Sequence, residues 1–511
     1  MTWITLKSVV RRGLHRHGHH VADPVFQFYR ITLTRFTIAF FLFSFIHAFA
    51  EGFIQAFIFS QDSTASNTVS TILHQAQVPS NYFGILERPR DGNATLTVCS
   101  RLDLDLPKEQ RPCGLVYETN HPNLPFPSEH NLTSHLFAEG ITVSPTGVAG
   151  AVDVVLDNKK TAKLSQMCTL VMTYPHQVLM NAQREDIALV VSQFWIFAIS
   201  FFGIVYDSIP HLIAALCFRF LCTGWSIYIV WRTGDIRKRF EMLLASDDSP
   251  CKPLQVDELF PGYFASREAL QIPDLTLNIV ALVLSVYLST KLIKVYGVNT
   301  FNRVGAPPAI IRIYKYFLAV FVSFQISGLM LISAVSLWLD QMVNRDNAMS
   351  SDNFTYHRSL YLALSIFTLA ILVPWITTGW YAVRREWKKL MVAFLAAATL
   401  VFTSWVLMLK SWSFAFTFVN WPFFAIQIVA ASISLVSTIG FGIVSYLHFD
   451  KGLAHYLYVD NELAKAGFEP ELFEKDVEKV PQDDWRDIGL DDIPTYTLQF
   501  STSSSTDKDQ K

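Results

Sequence analysis

The chain has 511 residues, of which 51% are hydrophobic and only 16% charged, with a formal net charge of −2. A soluble chain carries about 25% charged residues, so this composition does not suit an ordinary soluble protein. The near-neutral balance also argues against a general nucleic-acid binder, which needs a basic surface to neutralise phosphate.

Residues 1–35 form a basic arm with Lys7, Arg11, Arg12, Arg16, Arg30 and Arg35. The run His15-Arg16-His17-Gly18-His19-His20 has metal-ligand residue types but stands among arginines without a second ligand cluster. Attraction to anionic lipid headgroups explains the arm better, and no metal or cofactor is expected. The first apolar run, residues 36–59, is too long for a signal-peptide core of about 7–15 residues. It reads as a signal anchor; cleavage there would instead leave a seven-span, receptor-like chain.

Residues 60–186 hold the one large polar segment between spans. Short β-prone runs at 94–98, 140–143 and 151–156, separated by Pro, Asn and Gly, predict a small β-rich domain. It reads either as a ligand- or wall-facing sensor or as a cap over the span ends. Seven further apolar runs follow, at about 187–206, 211–231, 275–293, 316–339, 360–383, 390–409 and 421–446, each long enough to cross ~30 Å of hydrocarbon as a helix. The region 187–447 is therefore predicted to be a seven-helix membrane region. Residues 448–511 form an acidic tail ending in a Ser/Thr-rich stretch, whose composition favours disorder. Ser504 and Thr506, just upstream of acids, are candidate phosphorylation sites.

Orientation follows from three signals. Basic residues of short loops stay cytosolic, which places the N-terminal arm, the 294–315 loop and Arg384-Arg385-Glu386-Trp387-Lys388-Lys389 on one side. The sequons at Asn93, Asn131 and Asn353 fall on the other side. So do Cys99, Cys113, Cys168 and Cys251, an even number in an oxidising compartment, whose three possible pairings the sequence leaves open. Cys217 and Cys222 read as packing residues. One loop conflicts: it is non-cytosolic in this scheme yet opens Arg232-Thr233-Gly234-Asp235-Ile236-Arg237-Lys238-Arg239.

Charges inside hydrocarbon are costly and need partners. Arg219 stands near the middle of the third run, with Glu51 and Asp207 as candidate partners. Such a pair can orient helices or form a site for an anionic headgroup or substrate; Arg219 can also snorkel to the interface. Pro374, Gly379, Gly440 and Gly442 permit kinks or close helix approach. The chain has no HExxH, phosphate loop or nucleophile elbow, so no catalytic residue is nominated and an enzyme is not expected.

The stretches Arg312-Ile313-Tyr314-Lys315-Tyr316, Trp338-Leu339-Asp340-Gln341, Pro374-Trp375-Ile376-Thr377-Thr378-Gly379-Trp380-Tyr381, Asn420-Trp421-Pro422-Phe423-Phe424 and His448-Phe449-Asp450-Lys451-Gly452-Leu453 resemble a poorly characterised group of polytopic membrane proteins of basidiomycete fungi. The resemblance covers roughly the C-terminal half and brings no site residues. It implies a fungal cell-surface protein, one placed at sites of secretion in growing hyphae. The reading of the whole chain is a non-enzymatic protein with a role in surface organisation, sensing or infection-related growth.

The expected architecture is an all-α polytopic membrane protein with about eight transmembrane helices, a small β-rich non-cytosolic domain and a disordered acidic C-terminal tail. It is expected in the plasma membrane, or alternatively in the secretory pathway. Its expected partners are membrane lipids, with protein partners through the outer domain and tail and no nucleic acid. The alternative functions are a seven-span receptor and a transporter or channel for a small solute.

Overall fold

The computed structural model describes residues 31–79, 82–88, 93–99, 113–119, 142–145, 150–156, 160–252, 254–304, 307–344 and 358–453, with a few positions up to 462. Asn131, Asn353, Ser504, Thr506 and the His15–His20 run lie outside them.

Among the described residues, eight helices are long and apolar enough to cross a membrane. In chain order the helices are α1 (Arg35–Gln75), α2 (Gln166–Val171), α3 (Thr173–Val205), α4 (Ile209–Leu244), α5 (Val256–Leu259), α6 (Tyr263–Val304), α7 (Pro308–Asn344), α8 (Arg358–Arg385), α9 (Lys388–Met408), α10 (Trp412–Asn420) and α11 (Pro422–Leu447). The eight spans lie in α1, α3, α4, α6, α7, α8, α9 and α11, and the chain is a multi-pass membrane protein.

The ends of these helices follow local chemistry. Thr34 caps α1 by accepting from the Thr37 amide at 3.1 Å. Pro210 and Pro422 stand in the first turns of α4 and α11, where a missing N–H breaks no hydrogen bond. The tight α3–α4 and α8–α9 connections turn through Asp207 and Glu386, at φ 49° and 51°.

The outer surface of the bundle is apolar, and buried polar groups lie inside it. On α1, Phe53 and Phe57 are 65% and 62% exposed, whereas Glu51, two residues before Phe53, is 1% exposed. Lipid replaces water as the outer solvent, so the large apolar residues face outward at no cost, while polar groups gather where they can bond one another. The helices form two groups of four: α1, α3, α4 and α6 in one, α7, α8, α9 and α11 in the other, with α4 packing on α7 between them.

The second group is close-packed and aromatic. Trp375 of α8 stacks on Phe394 of α9 with ring centroids 5.2 Å apart and donates its Nε1 hydrogen to the Phe394 carbonyl at 3.2 Å. A Cβ on Gly379 would come within 2.5 Å of Phe394, and one on Gly442 within 2.7 Å of Leu395, so both glycines serve close approach. Gly440 meets nothing within 4 Å and has no such role.

Six short strands cover one end of the bundle. β1 (Phe83–Glu87), β2 (Thr95–Cys99) and β3 (Cys113–Glu118) form one antiparallel sheet; β4 (Thr142–Pro145), β5 (Val152–Val155) and β6 (Thr161–Leu164) form another. Among the described residues, these strands share their core with the helices. Leu96, Val98, Val116, Tyr117, Val152 and Val154 share one apolar cluster with Val69, Ile72 and Leu73 of α1, Phe240, Leu243 and Leu244 of α4, and Phe264 of α6. The helices rise past the lipid-facing residues into the sheets, which therefore cap the bundle.

Two disulfides select one of the three pairings: Cys99–Cys113, across paired positions of β2 and β3, and Cys168–Cys251, from α2 to the segment after α4. The second places the Arg232–Arg239 region at the same end as the sheets. The opposite end carries the α8–α9 turn, where Lys388 pairs with Asp450 at 2.5 Å. Phe449 and Leu453 are buried there, so the chain remains packed on the bundle beyond residue 448.

Candidate intramembrane site

The distinctive feature of the first helix group is the polarity of its interior. Along α1, Ser44, Ala48, Glu51, Gln55, Ile58, Asp62, Ala65 and Val69 recur at intervals of four and three, which holds them on one face of a helix. All are buried, and four are polar. The facing stripes carry Gln193 and Ser200 on α3, Arg219, Thr223 and Ser226 on α4, and Gln271, Asp274, Asn278 and Ser285 on α6.

These side chains fall into layers. Near the middle of the lipid-facing stretch, Arg219 Nη1 donates to His47 Nδ1 at 3.0 Å, Nη2 donates to Ser44 Oγ at 3.4 Å, and the guanidinium carbon stands 5.0 Å from the centre of the Phe43 ring. A guanidinium can only donate, so Nδ1 is the acceptor and the imidazole proton belongs on Nε2, which is buried without a partner. The contacts of Arg219 are therefore His47, Ser44 and Phe43, and not the carboxylates that the sequence offered.

One turn toward the sheets lies the acidic layer. Asn278 Nδ2 donates to Glu51 Oε1 at 2.6 Å and lies 3.1 Å from Ser226 Oγ. Ser226 Oγ donates to Asp274 Oδ2 at 2.6 Å, and Gln55 Nε2 donates to Asp274 Oδ1 at 2.7 Å. The carboxyl groups of Glu51 and Asp274 face each other within hydrogen-bonding reach, and Glu51 Oε2 has no donor.

The outer layers are ion pairs. Asp62 is bonded by Arg267 and by the Tyr263 hydroxyl, the latter at 2.8 Å, with Asp186 beside it. Arg232 Nη1 donates to both Glu185 oxygens, at 2.8 and 2.6 Å, and Trp421 Nε1 donates to Glu185 Oε1 at 2.6 Å. Arg184 pairs with Asp340, and Gln341 donates to Asn181 at 2.7 Å, fastening α3 to α7.

Between the acidic layer and the outer ion pairs runs a narrow cavity lined by Glu51, Asp186, Gln193, Gln271 and Asp274, among others. It admits a water molecule or a bare ion and has no room for an organic solute. Gln193 Oε1, both amide atoms of Gln271 and Asp186 Oδ2 are buried in its wall without hydrogen-bond partners. The lining carries more acid than base, because its one guanidinium, Arg267, already holds Asp62. Such a wall can accept positive charge.

Both intramembrane residues singled out in the sequence, Glu51 and Arg219, are buried in this interior, 1% and 3% exposed. Cys222, read as a packing residue, also lines the cavity. Asn93 is exposed just before β2. Asp62, Asp186 and Asp274 were not singled out, because each lies just beyond the end of an apolar run. The four-and-three spacing through Ser44, Glu51, Gln55 and Asp62 was the signal that could have found the seam. The chain matches no protein-family model, no curated protein and no solved structure.

Proposed function

We propose that the protein is a transporter or channel that passes a small cation along the interior of α1, α3, α4 and α6. One observation carries this reading. Buried polar side chains on α1 extend from Ser44 to Asp62, ~27 Å at about 1.5 Å per residue, against ~30 Å of hydrocarbon. A protein that only holds an outer domain at a surface needs no such column. Each ionisable residue placed at mid-bilayer costs about 2.5–3.5 kcal/mol on insertion scales.

Two features support the orientation. Disulfides persist in oxidising compartments, so the sheet end is assigned to the non-cytosolic side. Arg384, Arg385, Lys388 and Lys389 at the other end suit the cytosol. The disulfides and the resemblance to fungal surface proteins both support the plasma membrane or secretory pathway, with any infection-related role built on transport there. Microscopy of a tail-tagged chain tests the location.

The transport reading is tested by reconstituting the full chain in liposomes. Proton, sodium and potassium entry are followed in separate arms with entrapped indicator dyes under an imposed membrane potential. Entry above that of protein-free liposomes in at least one arm is expected. Leak indistinguishable from empty liposomes in all three overturns the proposal.

A further inference from the structure

We propose that Glu51 and Asp274 form a binding site for one small monovalent cation, H⁺ or Na⁺, reached from the sheet end of the bundle past Asp186, Gln193 and Gln271. This deepens the transport reading by naming the bound species, though binding itself can be measured without transport.

The first argument is the count of donors. Glu51 Oε1 receives one hydrogen from Asn278, and Asp274 receives one on each oxygen, from Gln55 and Ser226. Glu51 Oε2 receives none, the Asp274 carboxyl stands beside Glu51, and two ionised carboxylates have only lone pairs to offer each other. A proton held by one of the two acids turns that contact into an O–H···O bond, as in carboxyl pairs that share one proton. A sodium ion bridging the two carboxylates satisfies the same lone pairs, with the Ser226 hydroxyl beside it as a further oxygen. Both species supply a single positive charge at one place, and the cavity is wide enough for either when dehydrated.

The second argument is the charge of the surroundings. From α1, His47 turns its lone pair to Arg219 and contributes no cation to the pair. From α4, the guanidinium of Arg219 has only neutral partners, His47, Ser44 and the Phe43 ring, so its charge acts on Glu51 one turn away and offsets one acid of the pair, and Cys222 is a free thiol beside the cavity. From α6, Arg267 is spent on Asp62. From α3, Asp186 adds a further acid. Arg219 can offset only one of the two acids, so the Glu51–Asp274 pair keeps a carboxylate without a counter-charge, and a buried carboxylate in hydrocarbon needs a proton, a cation or a partner.

The third argument is the wall of the approach. Gln271 is 2% exposed with both amide atoms unpartnered, and Gln193 is 2% exposed with a free carbonyl oxygen. Buried amides are ordinarily satisfied. Carbonyl oxygens lining a passage only as wide as a water molecule or an ion replace the hydration shell of whatever passes.

The test uses the full chain in nanodiscs and reads thermal unfolding by tryptophan fluorescence. In one arm NaCl replaces N-methyl-D-glucamine chloride at fixed pH. In the other, pH is lowered without sodium, and the infrared band of protonated carboxyl groups is recorded. If the occupant is Na⁺, the midpoint rises with sodium, and Glu51→Gln and Asp274→Asn both abolish the rise. If it is H⁺, the midpoint rises as pH falls, Glu51→Gln flattens that dependence, and the infrared band loses intensity in the same variant. The amide mimics a protonated acid in shape and charge, so these variants are expected to fold. A wild-type chain that responds to neither ion, or variants that respond as the wild type does, overturns the site. A cation response without flux overturns the transport reading alone, and flux that survives both substitutions overturns the site alone.

Discussion

Arg232 of α4 donates to both carboxylate oxygens of Glu185 on α3, and Trp421, at the start of α11, donates to the same carboxylate. Three helices meet on one buried acid. Arg232 also opens the basic loop that conflicts with the positive-inside tendency. Arg239 pairs with Asp235, which also pairs with Arg88, and Arg237 pairs with Glu241. These arginines are held in ion pairs within the fold at the sheet end. Replacing Arg232 by Leu leaves Glu185 buried without its cation, at an expected cost of about 3–5 kcal/mol. The double change Arg232→Leu with Glu185→Leu is expected to recover much of that loss. Thermal unfolding in detergent measures both, and a single variant as stable as the wild type defeats the prediction.

The two disulfides are expected to differ in weight. Cys168–Cys251 closes a separation of 83 residues and Cys99–Cys113 one of 14. Loop-closure entropy gives about 4.5 and about 3 kcal/mol respectively. The gap narrows because α3 and α4 stay helical in lipid, so the longer loop is never a free chain. Cys251→Ser should therefore lower the unfolding midpoint more than Cys113→Ser. The reverse order contradicts this account.

Glycines in the second helix group separate contact from composition. Gly379→Ala and Gly442→Ala drive a methyl group into Phe394 and Leu395, at an expected cost of about 1–3 kcal/mol each. Gly440→Ala enters open space and should leave stability unchanged. Equal losses at all three positions argue against the packing described.

Glycosidase treatment should lower the apparent mass of the expressed chain, and Asn93→Gln should remove one step of that shift. Asn93 is exposed at the sheet end, the end assigned to the non-cytosolic side. A wild-type band that does not shift counts against that assignment.

Most of the membrane architecture was legible in the sequence, because apolar runs such as 390–409 and 421–446 announce helices by length alone. The polar seam was less legible for a physical reason. A hydropathy window ends a span where polar residues gather, and so stops at Phe59, short of Asp62, and begins after Asp186 and Asp274. Those acids belong to helices that continue through them: α1 runs on to Gln75, and α6 begins at Tyr263. Arg219 was recognisable as an intramembrane charge, but its turn toward His47 depends on how α1 is rotated against α4, which no local pattern reports. The cysteine pairing was similarly out of reach, since it is set by the meeting of α2 with the segment after α4.

The cap and the bundle share their long rods. Because α1, α4 and α6 pass without interruption from the lipid into the apolar heart of the sheets, none can tilt without dragging the lid along. The Cys168–Cys251 staple ties the outer ends of the second and third crossings together. The α3–α4 hairpin is thereby closed at both of its ends. A pull on the lid would be carried, through the same levers, to the acid pair.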